Sequence, residues 1–143
     1  MTSTPELAAL AKRLYERRQD ALVVPYEDRA SAGFAPVHHE CHRNVDLWVQ
    51  AHPRDQPVRG WLSFDAFYLL GYHRFQPHSV VADENGRLFD VTPSLASQRY
   101  PFLRHEGTDA EYVALVESSH LVHLDHPIAA DEAIAALKQW MPW

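Results

Sequence analysis

The sequence holds a single cysteine, Cys41, among 143 residues. One cysteine cannot close an internal disulfide, which fits a reducing, cytoplasmic setting. It also excludes any zinc site that needs two or more cysteines from this chain. No apolar run approaches the length of a membrane-spanning helix, so no membrane partner is expected. The opening MTSTPELAAL lacks a basic stretch followed by an apolar one, so no secretory signal is expected either. Positive charge is scarce: 13 Lys and Arg against 19 Asp and Glu leave a net charge of −6. That balance argues against a nucleic-acid partner, which needs a basic face to neutralise phosphates. Glycine is scarce too, at five residues, and neither a phosphate-binding P-loop pattern nor Gly-x-Gly-x-x-Gly occurs. Gly-x-Ser-x-Gly and His-Glu-x-x-His are also missing, which counts against an α/β serine hydrolase and a zinc protease. No cofactor is expected. There is no internal repeat and no linker-like stretch, so residues 1–143 read as one domain with a real core.

The elements that are present begin with a helix. Thr4 is a good N-cap, Pro5 suits the first helical position, and Leu7, Leu10, Ala11 and Leu14 recur at helical spacing. Residues 23–37, with Pro25, Gly33 and Pro36, read as loop. A second helix is predicted from about His39 to Gln50, with Cys41, Val45 and Trp48 on one face and Pro53 and Pro57 ending it. Arg59 to Phe64 and Ala66 to Tyr72 read as strands. Two short strand-like runs, His78 to Ala82 and Arg87 to Val91, flank the turn signal Asp83-Glu84-Asn85-Gly86. Asp109 to Glu117 reads as helix and His120 to Leu124 as an edge strand. Asp131 to Trp140 reads as a helix with Ile134 and Leu137 inward. Helices, then an antiparallel sheet, then a helix make an α+β domain.

The turn carries a geometric prediction. A three-residue loop, with Glu84 and Asn85 in a type I turn and left-handed Gly86, pairs Asp83 with Arg87. Val80 then faces Asp90 and His78 faces Thr92. His78 and Asp90 become diagonal neighbours on one face, about 7–8 Å apart at the backbone. A loop one residue shorter or longer would put them on opposite faces.

Cys41 stands near the start of a predicted helix. A helix N-terminus offers free N–H groups and the positive end of the dipole, both of which favour a thiolate. A histidine can hold the proton, a carboxylate can orient that histidine, and the free N–H groups can receive an oxyanion. Cys41, His78 and Asp90 supply nucleophile, base and orienting carboxylate in that order. A small buried core cysteine remains the plain alternative.

The segments Cys41-His42-Arg43-Asn44-Val45, His78-Ser79-Val80-Val81 and Phe89-Asp90-Val91-Thr92 resemble the Cys-His-Asp core of the papain-like and transglutaminase-like superfamily. Within it, they are most similar to the protein N-terminal glutamine amidohydrolases. The resemblance spans about Glu40 to Pro93. It implies a papain-like fold, with N-terminal helices, one carrying the cysteine, packed on an antiparallel sheet. It also implies a cysteine hydrolase that attacks an amide carbonyl through an acyl-enzyme, as a peptidase, amidase or deamidase. Its substrate would be a peptide, a protein or a small amide. The chain departs from those amidohydrolases at His42 and Arg43, where they carry acidic residues. It departs again at Phe75-Gln76-Pro77, so their substrate is not carried over. The competing expectation is a binding or immunity-type module on the same fold with a relict triad.

Around this core, Gln76, the Cys41 N–H and the His39 ring are candidate oxyanion donors. Asn44, one helical turn from Cys41, could support the site, and Trp61 could line a substrate cleft. Trp140 and Trp143 suit packing of the final helix or an oligomer contact. His38, His39, Cys41 and His42, and separately His120, His123 and His126, are histidine-rich stretches. A strand at 120–124 would turn His120 and His123 to opposite faces, so no metal is expected there.

Overall fold

A computed structural model describes residues 4–30 and 33–140, excepting the side chains of Ser118 and Trp140. Trp143 and the Trp140 side chain therefore lie outside the described residues. The fold is α+β, with helices around a five-stranded antiparallel sheet. Helix α1 (Thr4–Glu16) buries Leu10, Ala11, Leu14 and Tyr15 along one stripe. Helix α2 (Cys41–Ala51) buries Cys41, Asn44, Val45 and Trp48, the i, i+3, i+4, i+7 pattern of a helix with one inward face. It begins two residues later than its periodicity suggests. His38 and His39 form a turn, and His39 has φ of +67°, which a helix cannot include. Cys41 thereby becomes the first helical residue.

The strands are β1 (Gln56–Phe64), β2 (Tyr72–Ala82), β3 (Leu88–Phe89), β4 (Phe102–Arg104) and β5 (Leu124–Pro127). Their order is β3-β2-β1-β4, with β5 also pairing β2. Three short or late helices complete the chain: α3 (Leu95–Arg99), α4 (Asp109–Ser118) and α5 (Ala130–Trp140). Thr108 and Glu111 close a capping box at the start of α4.

Several expectations from periodicity are corrected. Pro57 does not merely end α2; it lies inside β1 opposite Val81. A proline is tolerated there because β4 covers β1 only at Gly60 to Leu62, so its missing N–H faces no ladder. Residues 66–70 form a turn and a short 3-10 helix, not a strand, and Gly71 at φ of +87° starts β2. The late edge strand is Leu124–Pro127, not 120–124. Ile134 is 53% exposed, and α5 instead buries Ala133.

The two faces of β1 and β2 carry different layers. Trp61 and Phe75 face a core built with Leu10 and Leu14 of α1 and Tyr112 of α4. On that same face Val81 packs against Val45 and Trp48 of α2. The opposite face carries Val58, Leu62 and Val80 against Val24 and Phe102. His78 pairs with Gly60 in register, so both belong to this second face.

Candidate active site

The hairpin between β2 and β3 sets the first half of the site. Gly86 takes φ of +83°, the Gly86 N–H donates to the Asp83 carbonyl at 2.9 Å, and the Asp83 N–H donates to the Arg87 carbonyl at 2.9 Å. Val81 pairs with Phe89 and Ala82 with Leu88, the register a three-residue loop dictates. Asp90 therefore falls on the face of His78. His78 Nε2 donates to Asp90 Oδ2 at 2.6 Å, and both residues are buried. The other carboxylate oxygen, Oδ1, accepts the Thr92 N–H at 2.9 Å. A carboxylate held on both oxygens has one orientation to offer the ring.

The second half comes from the edge of β2. Beyond β1, β3 covers β2 only at Val81 and Ala82, and β5 covers it only from Tyr72 to Phe75. No strand covers that side over 76–80 among the described residues. Pro77 suits this opening, because it has no N–H to leave unpaired. The first turn of α2 stands at the opening and brings Cys41 to His78. With Nε2 held by Asp90, Nδ1 is the ring nitrogen left for the thiol. Cys41, His42 and Arg43 occupy the first helical positions, so their N–H groups have no acceptor within the helix.

Electrostatics follow from these contacts. Burial raises the Cys41 thiol, but hydrogen bonding and charge from His42 and His78 outweigh it and lower the pKa to about 6. Burial lowers the His78 imidazolium, but Asp90 and then the thiolate outweigh it and raise the pKa to about 9. The two groups titrate as a pair. Between these values, thiolate and imidazolium coexist.

Residues that support the pair were only partly foreseeable. Asn44 is fully buried and works as a clamp: its Nδ2 donates to the Val37 carbonyl at 2.8 Å and to Thr92 Oγ1 at 3.0 Å. Its Oδ1 accepts the Val37 N–H at 2.9 Å. It thus ties the segment leading into α2 to the segment following Asp90. His42, noted in the sequence only as a departure and as one of a cluster, also stands by the thiol. Its Nδ1 lies 2.6 Å from Ser79 Oγ, which also accepts from Arg59 Nη1 at 3.0 Å. Arg59 Nη2 donates to Asp46 Oδ1 at 2.5 Å. Phe102 packs edge-on to the His78 ring, with centroids 6.3 Å apart. Gly60 leaves room for it: a Cβ there would meet Phe102 Cζ at 2.5 Å and the Leu103 carbonyl oxygen at 2.3 Å. No local sequence signal marks Ser79, Arg59 or Phe102, because each acts across strands.

Gln76, His39, His42 and Thr92 line a cleft of about 420 Å³ together with Cys41 and His78. Gln76 is exposed two residues before His78, on the same face. Trp61 does not reach this cleft. It is fully buried on the other face, and its Nε1 donates to His105 Nδ1 at 3.2 Å. Strand alternation explains the difference, since Gly60 and not Trp61 shares the His78 face. His126 packs on Tyr15, away from Cys41, with ring centroids 4.6 Å apart. Among the described residues, no three His, Cys, Asp or Glu side chains converge as a metal-binding set. Nor is any described helix long and apolar enough to cross a membrane.

No protein-family model, no curated protein and no solved structure matches the chain.

Proposed function

We propose that this protein is a papain-like cysteine hydrolase that cleaves an amide bond through an acyl-enzyme. The observation that carries this reading is the buried His78–Asp90 hydrogen bond of 2.6 Å in the same cleft as the Cys41 thiol at the start of α2. In the first step the Cys41 thiolate attacks the carbonyl carbon, an S–C bond forms, and the carbonyl electron pair moves to oxygen. The free N–H groups at the start of α2, with Gln76 or His39 from the same cleft, would receive that oxyanion. Collapse breaks the C–N bond, and His78 passes its proton to the leaving amine. Water then gives a proton to His78 and attacks the thioester, and Cys41 leaves as thiolate. Asp90 holds the imidazole in one orientation through its 2.6 Å hydrogen bond.

Alkylation tests the reading directly. Cys41 should react with iodoacetamide at pH 7 faster than free cysteine, with an apparent pKa of about 6. His78→Ala should move that pKa toward the ordinary thiol value. A Cys41 that labels only after unfolding overturns the enzyme reading and favours a binding module.

A further inference from the structure

The cleft over Cys41 has a composition unlike the rest of the surface. The chain is 22% charged, yet among the described residues no Asp, Glu, Lys or Arg side chain lines this cleft. Much of its lining is aliphatic: Leu62 and Ala96, and, from a second apolar cluster, Val116 and Leu121 with Val122 beside them. Val122 is 74% exposed at its rim, an apolar side chain with most of its surface in water. Leu95, next to Ala96, is also exposed. Exposed apolar side chains gathered at a concave site are where a ligand gains most from leaving water. Uncharged hydrogen-bonding groups come from Gln76, Ser94 and Thr92, with Gln76 paired to Leu62 across the strands. The thiolate and imidazolium form a pair with no net charge. A charged substrate group entering here would lose hydration without a fixed counter-charge. His39 and His42 are the remaining ionisable groups on the lining.

We infer that the substrate taken at Cys41 carries an uncharged aliphatic group next to its reactive carbonyl, seated against the wall of Val116, Leu121 and Val122. This inference rests on the hydrolase reading for its chemistry and extends it to a substrate class. An acidic group recognised by His39 and His42 is the opposing outcome.

Three alkylating reagents separate these outcomes: iodoacetamide, N-hexyl-2-iodoacetamide and iodoacetate. Each rate with Cys41 is divided by the rate of the same reagent with glutathione. The hexyl reagent should show a saturable advantage over iodoacetamide of about tenfold or more, from burial of its methylenes. Iodoacetate should fall below iodoacetamide. Val122→Asp, at an exposed position, should cut the hexyl advantage several-fold while the far-ultraviolet circular dichroism stays the same. A smaller hexyl advantage, a preference for iodoacetate, or an advantage indifferent to Val122→Asp overturns the proposal. Because all three reagents meet the same thiol, the ratios do not depend on how reactive that thiol is. A Cys41 no faster than free cysteine therefore counts against the hydrolase reading, and the ratios alone judge the cleft.

Discussion

His73 and His78 sit five residues apart on β2, both almost fully buried, on opposite faces of the strand. Their surroundings drive them in opposite directions. The His73 Nε2 lies 2.7 Å from Ser63 Oγ, and its Nδ1 lies 2.9 Å from the Tyr68 hydroxyl. Neither partner carries charge, so burial prevails, helped by the charge of Arg18, and the pKa falls to about 4. His78 loses as much water but gains the Asp90 carboxylate and the thiolate, and its pKa rises to about 9. Burial gives a histidine its stake in charge; the partner decides the sign. A neutral, doubly bonded histidine is a strut. A histidine held charged beside a thiol is, on the proposed reading, the group that carries the proton.

The most disruptive way to break this contrast is Asp90→Asn, which gives His78 an uncharged partner like those of His73. The thiolate should lose its counter-ion, the Cys41 pKa should climb, and turnover of an amide or activated ester should drop on the order of 10³-fold. Alkylation rate against pH and steady-state kinetics measure the two effects. Next is Asn44→Ala, which orphans the Val37 N–H and takes one donor each from the Thr92 hydroxyl and from the Val37 carbonyl, the latter keeping the Glu40 N–H. A loss of about 2–3 kcal/mol in urea unfolding is expected. His42→Asn tests the second histidine at the thiol. With His78 intact, the Cys41 pKa should rise by part of the shift seen in His78→Ala, to a value between about 6 and its ordinary 9.

The smallest effect sharpens the comparison through pH. His73 has a folded pKa below its unfolded value, so the unfolded chain takes up the proton first. Its contribution makes stability fall as pH drops from about 6.5 to about 4. His78 is the reverse. Its own contribution is complete below about 6.5 and is lost as pH rises toward about 9, while the lowered Cys41 pKa contributes in the opposite sense over that range, so the pair together changes stability little there. His73→Gln keeps a hydrogen-bonding side chain and removes the titration. The acid limb between pH 6.5 and 4 should flatten in thermal melts, with the alkaline limb unchanged.

Legibility followed range. Asp83-Glu84-Asn85-Gly86 names its own turn, and strand alternation then carries that register to His78 and Asp90. The helical stripe of Cys41, Val45 and Trp48 is equally local. Trp61 was misplaced as a cleft residue because alternation assigns faces only once the strand's partner is known. Residues 66–72 are as apolar as a strand, yet a turn at Gly71 breaks them. Ser79, Arg59, Asp46 and Phe102 reach the site from separate elements, with no shared spacing to betray them.

From its sequence alone, then, this chain determines a tight turn, a helix with a cysteine near its start, and one face shared by a histidine and an aspartate. Those follow from backbone geometry within a few residues. Only the tertiary structure decided that no described strand covers the outer edge of β2 over 76–80, so that Cys41 can meet His78 across it. It also decided that the partners of His73 are hydroxyls, from Ser63 and Tyr68. Such choices depend on contacts between residues far apart in the chain, where burial and partner charge outweigh any local preference.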